Sequence, residues 1–215
     1  MPAGPDAVAT AARRLRAGGL VAFPTETVYG LGADATDATA IARLYAAKGR
    51  PKFNPLISHL PSADAAMRLG IFDAAARKLA EALWPGPLTL VVPKARDCPI
   101  ASLTTAGLDT VALRVPSHPI AHDLLVATGR PIAAPSANRS GRVSPTMAAH
   151  VHADFPAALD LIVDGGATAV GLESTIVACT GDVPVVLRFG GLAREAIENV
   201  LQRPIAFHRG AADAP

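Results

Sequence analysis

The segment KGRPKFNP sets Lys48, Arg50, Lys52 and Asn54 at alternate positions, with Gly49 and Pro51 between them. Turn-forming residues in those places make a rigid loop that presents several donors to one polyanion: arginine offers a planar fork to phosphate oxygens, lysine a compact charge. The same cations also suit a solvated helix end, where the dipole favours them. A second candidate is PSANRSG, after a short apolar run. Its Ser136 and Asn138, with Ser144 further along, supply hydroxyl and amide partners among small residues that let a phosphate or nucleoside approach the backbone. An ordinary serine-rich turn has the same composition. A third candidate is Arg114 in TVALRVP, between Leu113 and Val115. A strand would carry its guanidinium to a sheet face or end, where it needs a carboxylate or phosphate partner; Glu26, Glu173 and a bound substrate carboxylate all qualify. Finally, Ser174 in GLEST stands at a strand start, and His59 ends PLISH where it can face the same cleft.

Several chemistries are not supported. GxSxG does not occur, so no nucleophile elbow pairs with His59, His118, His122 or His150. HExxH is also missing, and no glycine fingerprint of a dinucleotide fold follows the first strand, so neither a zinc hydrolase nor an ordinary nicotinamide enzyme is indicated and no metal ligands are assigned. Cys98 and Cys179 are far apart and form no CxxC, which fits a reducing compartment.

The stretch that must position these groups is GGLVAFPTETVYGLG, residues 18–32. A buried strand over 20–23 runs into Pro24, and Thr25, Glu26, Thr27 and Tyr29 then fall in a loop at its end, where ligands collect in open α/β sheets. Before it, periodicity predicts a helix over 6–17, capped by Asp6 and ended by Gly18 and Gly19. After it, Asp37 caps a helix to residue 47, stopped by Gly49. Further helices are expected over 62–69, 72–83, 120–127, 146–152 and 193–201, and strands over 55–60, 88–92, 111–115, 131–134, 175–178 and 183–187, with 161–163 leading into Asp164-Gly165-Gly166. Residues 84–87, WPGP, must break the helix before them. The alternation gives an α/β fold, a mixed sheet of about seven strands flanked by helices, since several connections are too short for helical crossovers.

The 215 residues, half of them hydrophobic, fill one sizeable core, and no polar linker divides them. One domain is therefore expected over 1–203, with 204–215 a tail or the start of an interdomain linker. Twenty Lys and Arg against eighteen Asp and Glu leave +2, too little to announce a nucleic-acid binder. The N-terminus lacks a signal-like apolar run and no stretch has membrane-spanning length, so no membrane partner is expected and cytoplasmic residence is the default.

Taken together, PTETVYGLG, KGRPKFNPL, WPGPLTLV, TVALRVPSHP, PIAAPSANRSG and GLESTIV resemble, in order, the YrdC-like family of threonylcarbamoyl-AMP synthases, over roughly residues 17–201. The resemblance implies a twisted α/β fold with a concave basic cavity. It implies an enzyme, a nucleotidyltransferase that makes threonylcarbamoyl-AMP and pyrophosphate from L-threonine, bicarbonate or CO2, and ATP with its Mg2+. That is the first step of N6-threonylcarbamoyladenosine formation at position 37 of tRNA. Expected partners are the small substrates, the tRNA threonylcarbamoyl-transfer machinery, and tRNA or double-stranded RNA, which this fold is reputed to bind. A double-stranded RNA-binding module without synthase activity, or a related carbamoyl-transfer domain, would share the motifs. By position, Lys48 and Arg50 match the catalytic pair on the triphosphate. Asn54, Thr110, Ser136, Asn138, Ser144 and Arg188 match further ATP contacts. Thr27, His59, Arg114 and Ser174 match the threonine pocket, with Arg114 on the carboxylate. Two departures stand out. The family's RPG near the last strand reads Arg188-Phe189-Gly190 here, which removes a rigid constraint from the loop that aims Arg188. Longer members also carry a linker tyrosine that closes over the nucleotide and a second domain; the tyrosines here are Tyr29 and Tyr45 alone, as in a short form or in part of a longer chain.

Overall fold

The structure is a computed structural model that describes residues 1–207. Its elements run α1 (Pro5–Arg16), β1 (Val21–Pro24), β2 (Tyr29–Asp34), α2 (Ala38–Lys48), β3 (Ile57–His59), α3 (Ala63–Met67), α4 (Ala74–Leu83), β4 (Leu88–Pro93), β5 (Thr110–Arg114), α5 (Pro119–Thr128), β6 (Ile132–Ala133), α6 (Ala148–Asp154), β7 (Leu161–Ile162), β8 (Thr175–Ala178), β9 (Val185–Arg188), α7 (Arg194–Leu201) and β10 (Ala206–Phe207). The strands form one twisted mixed sheet in the order β10-β9-β8-β4-β5-β3-β6-β2-β1-β7. Pairing is parallel for β3/β5, β4/β8, β9/β10 and β1/β7, and antiparallel elsewhere.

Ten strands among the described residues, rather than about seven, come from three places, one of them the short β7 at Leu161–Ile162. Residues 29–34, of which 29–32 were expected in a loop, are β2, which pairs antiparallel with β1 from Val21↔Gly32 to Pro24↔Tyr29. The connecting turn is only Thr25–Val28, closed by Thr25 N–H to the Val28 carbonyl at 3.2 Å and by the Thr25 hydroxyl to the same oxygen at 2.7 Å. Glycines 30 and 32 are strand residues because neighbours crowd them: a Cβ on Gly32 would lie 2.8 Å from Phe23 Cε1, and one on Gly30 3.2 Å from Ala134 Cβ. At the other edge, Ala206–Phe207 pairs with β9 and Ile205 is buried, so the sheet continues into the stretch assigned to the tail. Residues 208–215 lie outside the described residues. Asp6 sits in the first turn of α1 and does not cap it; the cap is Gly4, with Pro5 opening the helix.

Strand side chains alternate between faces, and here the two faces differ in what covers them. Leu90, Val92, Val111, Leu113 and Val177 point into the main core with α2, α4 and α7. On the opposite face α1 and α5 cover only the β6-β2-β1 end, through Val21, Phe23, Ile132 and Ala134. The alternate residues of the central strands, Ile57, His59, Val91, Ala112, Arg114 and Ile176, become the floor of a cavity.

Candidate active site

Loops remote in sequence meet over this floor. The cavity, about 410 Å3, is walled by Thr25 and Thr27 of the β1–β2 turn, Arg50 and Asn54 after α2, Pro135 and Ser136 after β6, Glu173 and Ser174 before β8, and Arg188 at the end of β9. Arg50 and Ser136 therefore share one pocket. Of the predicted residues, Thr27, Arg50, Asn54, His59, Arg114, Ser136, Ser174 and Arg188 line it.

At one end Arg114 is almost wholly buried, 4% exposed, at the end of β5. One amino group donates to Glu26 Oε1 at 2.8 Å and to the Thr27 hydroxyl at 2.9 Å, while Glu26 Oε2 accepts the Ser117 N–H at 3.2 Å. Glu26 is thus the structural partner, and Arg114 Nε is left buried without one. Burial lowers the Arg114 pKa and the Glu26 charge opposes that shift. His59 is the adjoining floor residue, 2% exposed. Burial, and then the Arg114 charge, push its pKa down to about 3, so it is neutral; Nδ1 faces the Ile57 carbonyl at 3.2 Å and so carries the proton. Ser174, also buried, shares a 2.8 Å hydrogen bond with the Thr89 hydroxyl.

The other end is wetter and more cationic. Arg50 is placed by the left-handed C-cap of α2 at Gly49 (φ 62°), and its guanidinium donates to the carbonyls of Asn54 at 3.2 Å and Pro55 at 3.1 Å. Tyr45 OH donates to the same Asn54 carbonyl at 2.8 Å and braces the loop. Arg188 donates through Nε and Nη2 to the Ser174 carbonyl at 3.2 and 2.8 Å and through Nη1 to Glu173. The missing proline has not set this arginine loose. Gly190 N–H bonds the Thr175 hydroxyl at 2.9 Å, Gly191 N–H bonds the Glu173 carbonyl at 2.8 Å, and a Cβ on Gly190 would fall 2.1 Å from that carbonyl.

Four predicted residues do not line this cavity. Lys48 is 3% exposed and donates to the backbone carbonyls of Ser136 and Asn138, behind the loop; burial, and then Arg50, lower its pKa to about 8. Asn138 spends its amide on the Arg139 and Arg142 carbonyls, at 3.0 and 2.7 Å, bracing residues 139–142. Thr110 lines an adjoining apolar cavity of about 310 Å3 that shares Pro55, Leu56, Val91, Ala112 and Leu187 with the first. Ser144 reaches the wall through Glu173 Oε1, at 2.8 Å.

Glu173 was read only as a partner for Arg114, yet among the described residues it is the one carboxylate lining the cavity. Burial raises its pKa, but Arg188, hydrogen bonds from Ser144 and Ser136, and Lys48 together hold it below the usual carboxylate value. Tyr45 was likewise not singled out for the positioning it performs, whereas Glu26 holds Arg114 as one of the partners expected for it. Among the described residues no three His, Cys, Asp or Glu side chains converge as a metal site, and no helix is long and apolar enough to cross a membrane. Both cysteines are free thiols.

Known proteins resemble this chain in sequence and in fold. A family model named for Sua5, YciO and YrdC, described as telomere recombination, matches residues 13–190. A Bacillus subtilis protein named threonylcarbamoyl-AMP synthase is 48% identical over 207 residues, 96% of this chain and 59% of that protein. A Mycobacterium tuberculosis protein named putative threonylcarbamoyl-AMP synthase is 39% identical over 195 residues, 90% of this chain and 88% of that one. In space, the crystal structure of Pyrococcus abyssi Sua5 complexed with L-threonine matches with a TM-score of 0.90 at 50% identity, over 94% of this chain and 58% of that one. The chain thus spans less than two thirds of the B. subtilis and P. abyssi proteins. Since the family match runs through the β1–β2 hairpin, the Lys48–Asn54 loop, the Ser136 loop and the Arg188 strand end alike, this chain belongs to the Sua5/YciO/YrdC family.

Proposed function

We propose that this chain forms threonylcarbamoyl-AMP and pyrophosphate from L-threonine, CO2 or bicarbonate, and ATP. The observation that carries the reading is the buried, unpartnered Nε of Arg114 on a cavity floor whose rim bears Arg50 and Arg188. A buried donor without an acceptor is costly, and a substrate carboxylate would supply the acceptor in a charge-assisted contact. Thr27 and Glu26 keep the guanidinium in place for it. Neutral His59 beside it adds no second cation, and the apolar floor residues Ile57, Val91, Ala112 and Ile176 give a substrate methyl group a dry wall. The names of the relatives, and the threonine in the P. abyssi structure, support threonine as a substrate.

The triphosphate then takes the rim. Arg50 and Arg188 face it directly, the Ser136 and Ser144 hydroxyls are adjacent, and Lys48 acts by pinning the Ser136 loop. The threonine amine adds CO2 and loses a proton; a carbamate oxygen attacks the α-phosphorus, the bond to the β-phosphate bridging oxygen breaks, and pyrophosphate departs with the electron pair. No covalent enzyme intermediate is needed. The residues contribute placement, charge neutralisation and exclusion of water from an unstable carbamate. Mg2+ fits this site as a cation carried by the nucleotide: among the described residues Glu173 is the one lining carboxylate, and Mg2+ is commonly held by one or two carboxylates plus substrate phosphates. Bound there, it would neutralise developing charge on the phosphate oxygens.

The product would pass to the machinery that transfers the threonylcarbamoyl group to tRNA. The test is release of pyrophosphate from ATP in the presence of threonine and bicarbonate. Dependence on all three is the expected result; equal release with threonine omitted would overturn the proposal.

A further inference from the structure

Every group on the rim that would hold a polyanion already faces one anion of the chain itself. Glu173 accepts from Ser144 Oγ at 2.8 Å and pairs with Arg188 Nη1, and Ser136 lies near enough to help hold its pKa down. Arg50, Lys48 and Arg114 also lie close enough to feel its charge. Among the described residues the cavity lining thus carries three arginines and a single carboxylate, and that carboxylate stands among the cations. Its side chain is 33% exposed and that of Arg188 37%, so the pair can separate without breaching the core.

We propose that Glu173 is an internal placeholder: in the nucleotide-free chain it occupies the anion site, and the entering triphosphate must displace it. The proposal rests on the reading of this wall as the nucleotide site. Its logic is electrostatic. Bare cations converging in a half-buried pocket repel one another, as Arg50 and Arg188 do, and an intramolecular carboxylate relieves that repulsion without an external ion. The same carboxylate then repels a bound phosphate at close range, which weakens binding. Affinity is exchanged for a preassembled site whose Arg188, Ser136 and Ser144 are in position before the ligand arrives.

A residue that only positioned Arg188 would give the opposite sign. Loss of its charge would then release the arginine and weaken anion binding. Glutamine keeps an acceptor for Arg188 and Ser144 while removing the charge, so Glu173→Gln separates the two roles. Inorganic pyrophosphate is titrated calorimetrically into the full 215-residue chain in magnesium-free buffer with a chelator, wild type against variant. Expected is binding about tenfold tighter or better in Glu173→Gln, the order for removing one like charge at contact range in a partly screened site. Equal or weaker binding by the variant, or no binding by either chain, overturns the proposal. If Glu173→Gln does not melt cooperatively, Glu173→Asp, which retracts the carboxylate by one methylene, is titrated instead, with a roughly threefold gain expected and an unchanged or weaker affinity fatal. A parallel ATP titration keeps the two readings apart: tighter pyrophosphate binding by a variant that, like the wild type, ignores ATP would uphold the placeholder and sink the nucleotide assignment.

Discussion

The two ends of the cavity solve opposite problems with the same residue type. At the floor, Arg114 and His59 are 4% and 2% exposed, and Thr27 is fully buried. The charge there is matched internally by Glu26 before any ligand comes. At the rim, Asn54 is exposed, Arg188 and Glu173 are about one third exposed, and the ion pair faces the opening. A small ligand with one carboxylate can be met by a prebuilt, dry socket, because one unpaired donor is enough to recognise it. A polyanion needs several cations, and several cations cannot be buried together unpaired. The difference teaches that substitutions at the floor act on folding and binding alike, whereas those at the rim act mainly on the ligand.

The largest effect is therefore expected from Arg114→Gln. Removing one partner of a buried pair strands Glu26 and should cost about 3–5 kcal/mol of stability, read as a fall in denaturant midpoint, together with loss of threonine binding. Arg188→Gln is the control. A partly exposed pair is worth about 0–1 kcal/mol, so that variant should melt near the wild type while the KM for ATP rises. Equal destabilisation by both would erase the contrast. Next comes Gly190→Ala, whose new Cβ would meet the Glu173 carbonyl at 2.1 Å and the Ser174 backbone at 2.6 Å. Backbone cannot swing aside as a side chain can, so overpacking of about 1–3 kcal/mol is expected, with ATP use impaired before threonine binding is. A variant that lost both equally would show that the ends are one mechanical unit.

Some of this was legible from sequence and some was not. Arg114 was, because a long cation flanked by apolar strand residues has few places to go. The convergence of residues 48–54 and 136–144 was legible only through the family resemblance, since nothing in either loop names the other. Lys48 is the instructive case. It follows Ile41, Leu44 and Tyr45 at helical spacing, and all four are buried on α2; that stripe places the lysine inward, against the Ser136 loop, yet its charge drew the reading outward. Glycines 30 and 32 misled in the same way, since glycine marks close packing in a strand as readily as a turn. Glu173 escaped because its partners lie 15 and 29 residues away, at the end of β9 and on another loop.

The pH response sharpens the comparison from the floor side. His59 has a folded pKa near 3 against an ordinary 6.5. Below pH 6.5 the unfolded chain binds a proton that the folded chain refuses, so this contribution is complete above 6.5 and is lost as pH falls toward 3, at up to about 1.4 kcal/mol per pH unit. The slope of wild-type stability minus that of His59→Asn between pH 6.5 and 4.5 should carry that value and sign. A flat difference would mean that water reaches the floor.

Phe189→Pro is expected to do least, and for that reason tests the rim. It restores the family's RPG at the turn that aims Arg188. That turn already has the Ser174 carbonyl on Arg188, the Thr175 hydroxyl on Gly190 and the Glu173 carbonyl on Gly191. Proline would remove the contact between the Phe189 and Phe207 rings, whose centroids are 6.0 Å apart, worth about 0.5–1.5 kcal/mol. It would return about 0.4–1 kcal/mol by stiffening the unfolded chain where the backbone permits. Stability should then move by less than about 1 kcal/mol, and pyrophosphate release by less than about twofold, the turn being held by hydrogen bonds that proline at 189 leaves in place. A tenfold gain in release would mean that the rim is slack for want of that one residue, and its openness would then belong to this chain's sequence rather than to the demands of a polyanion site.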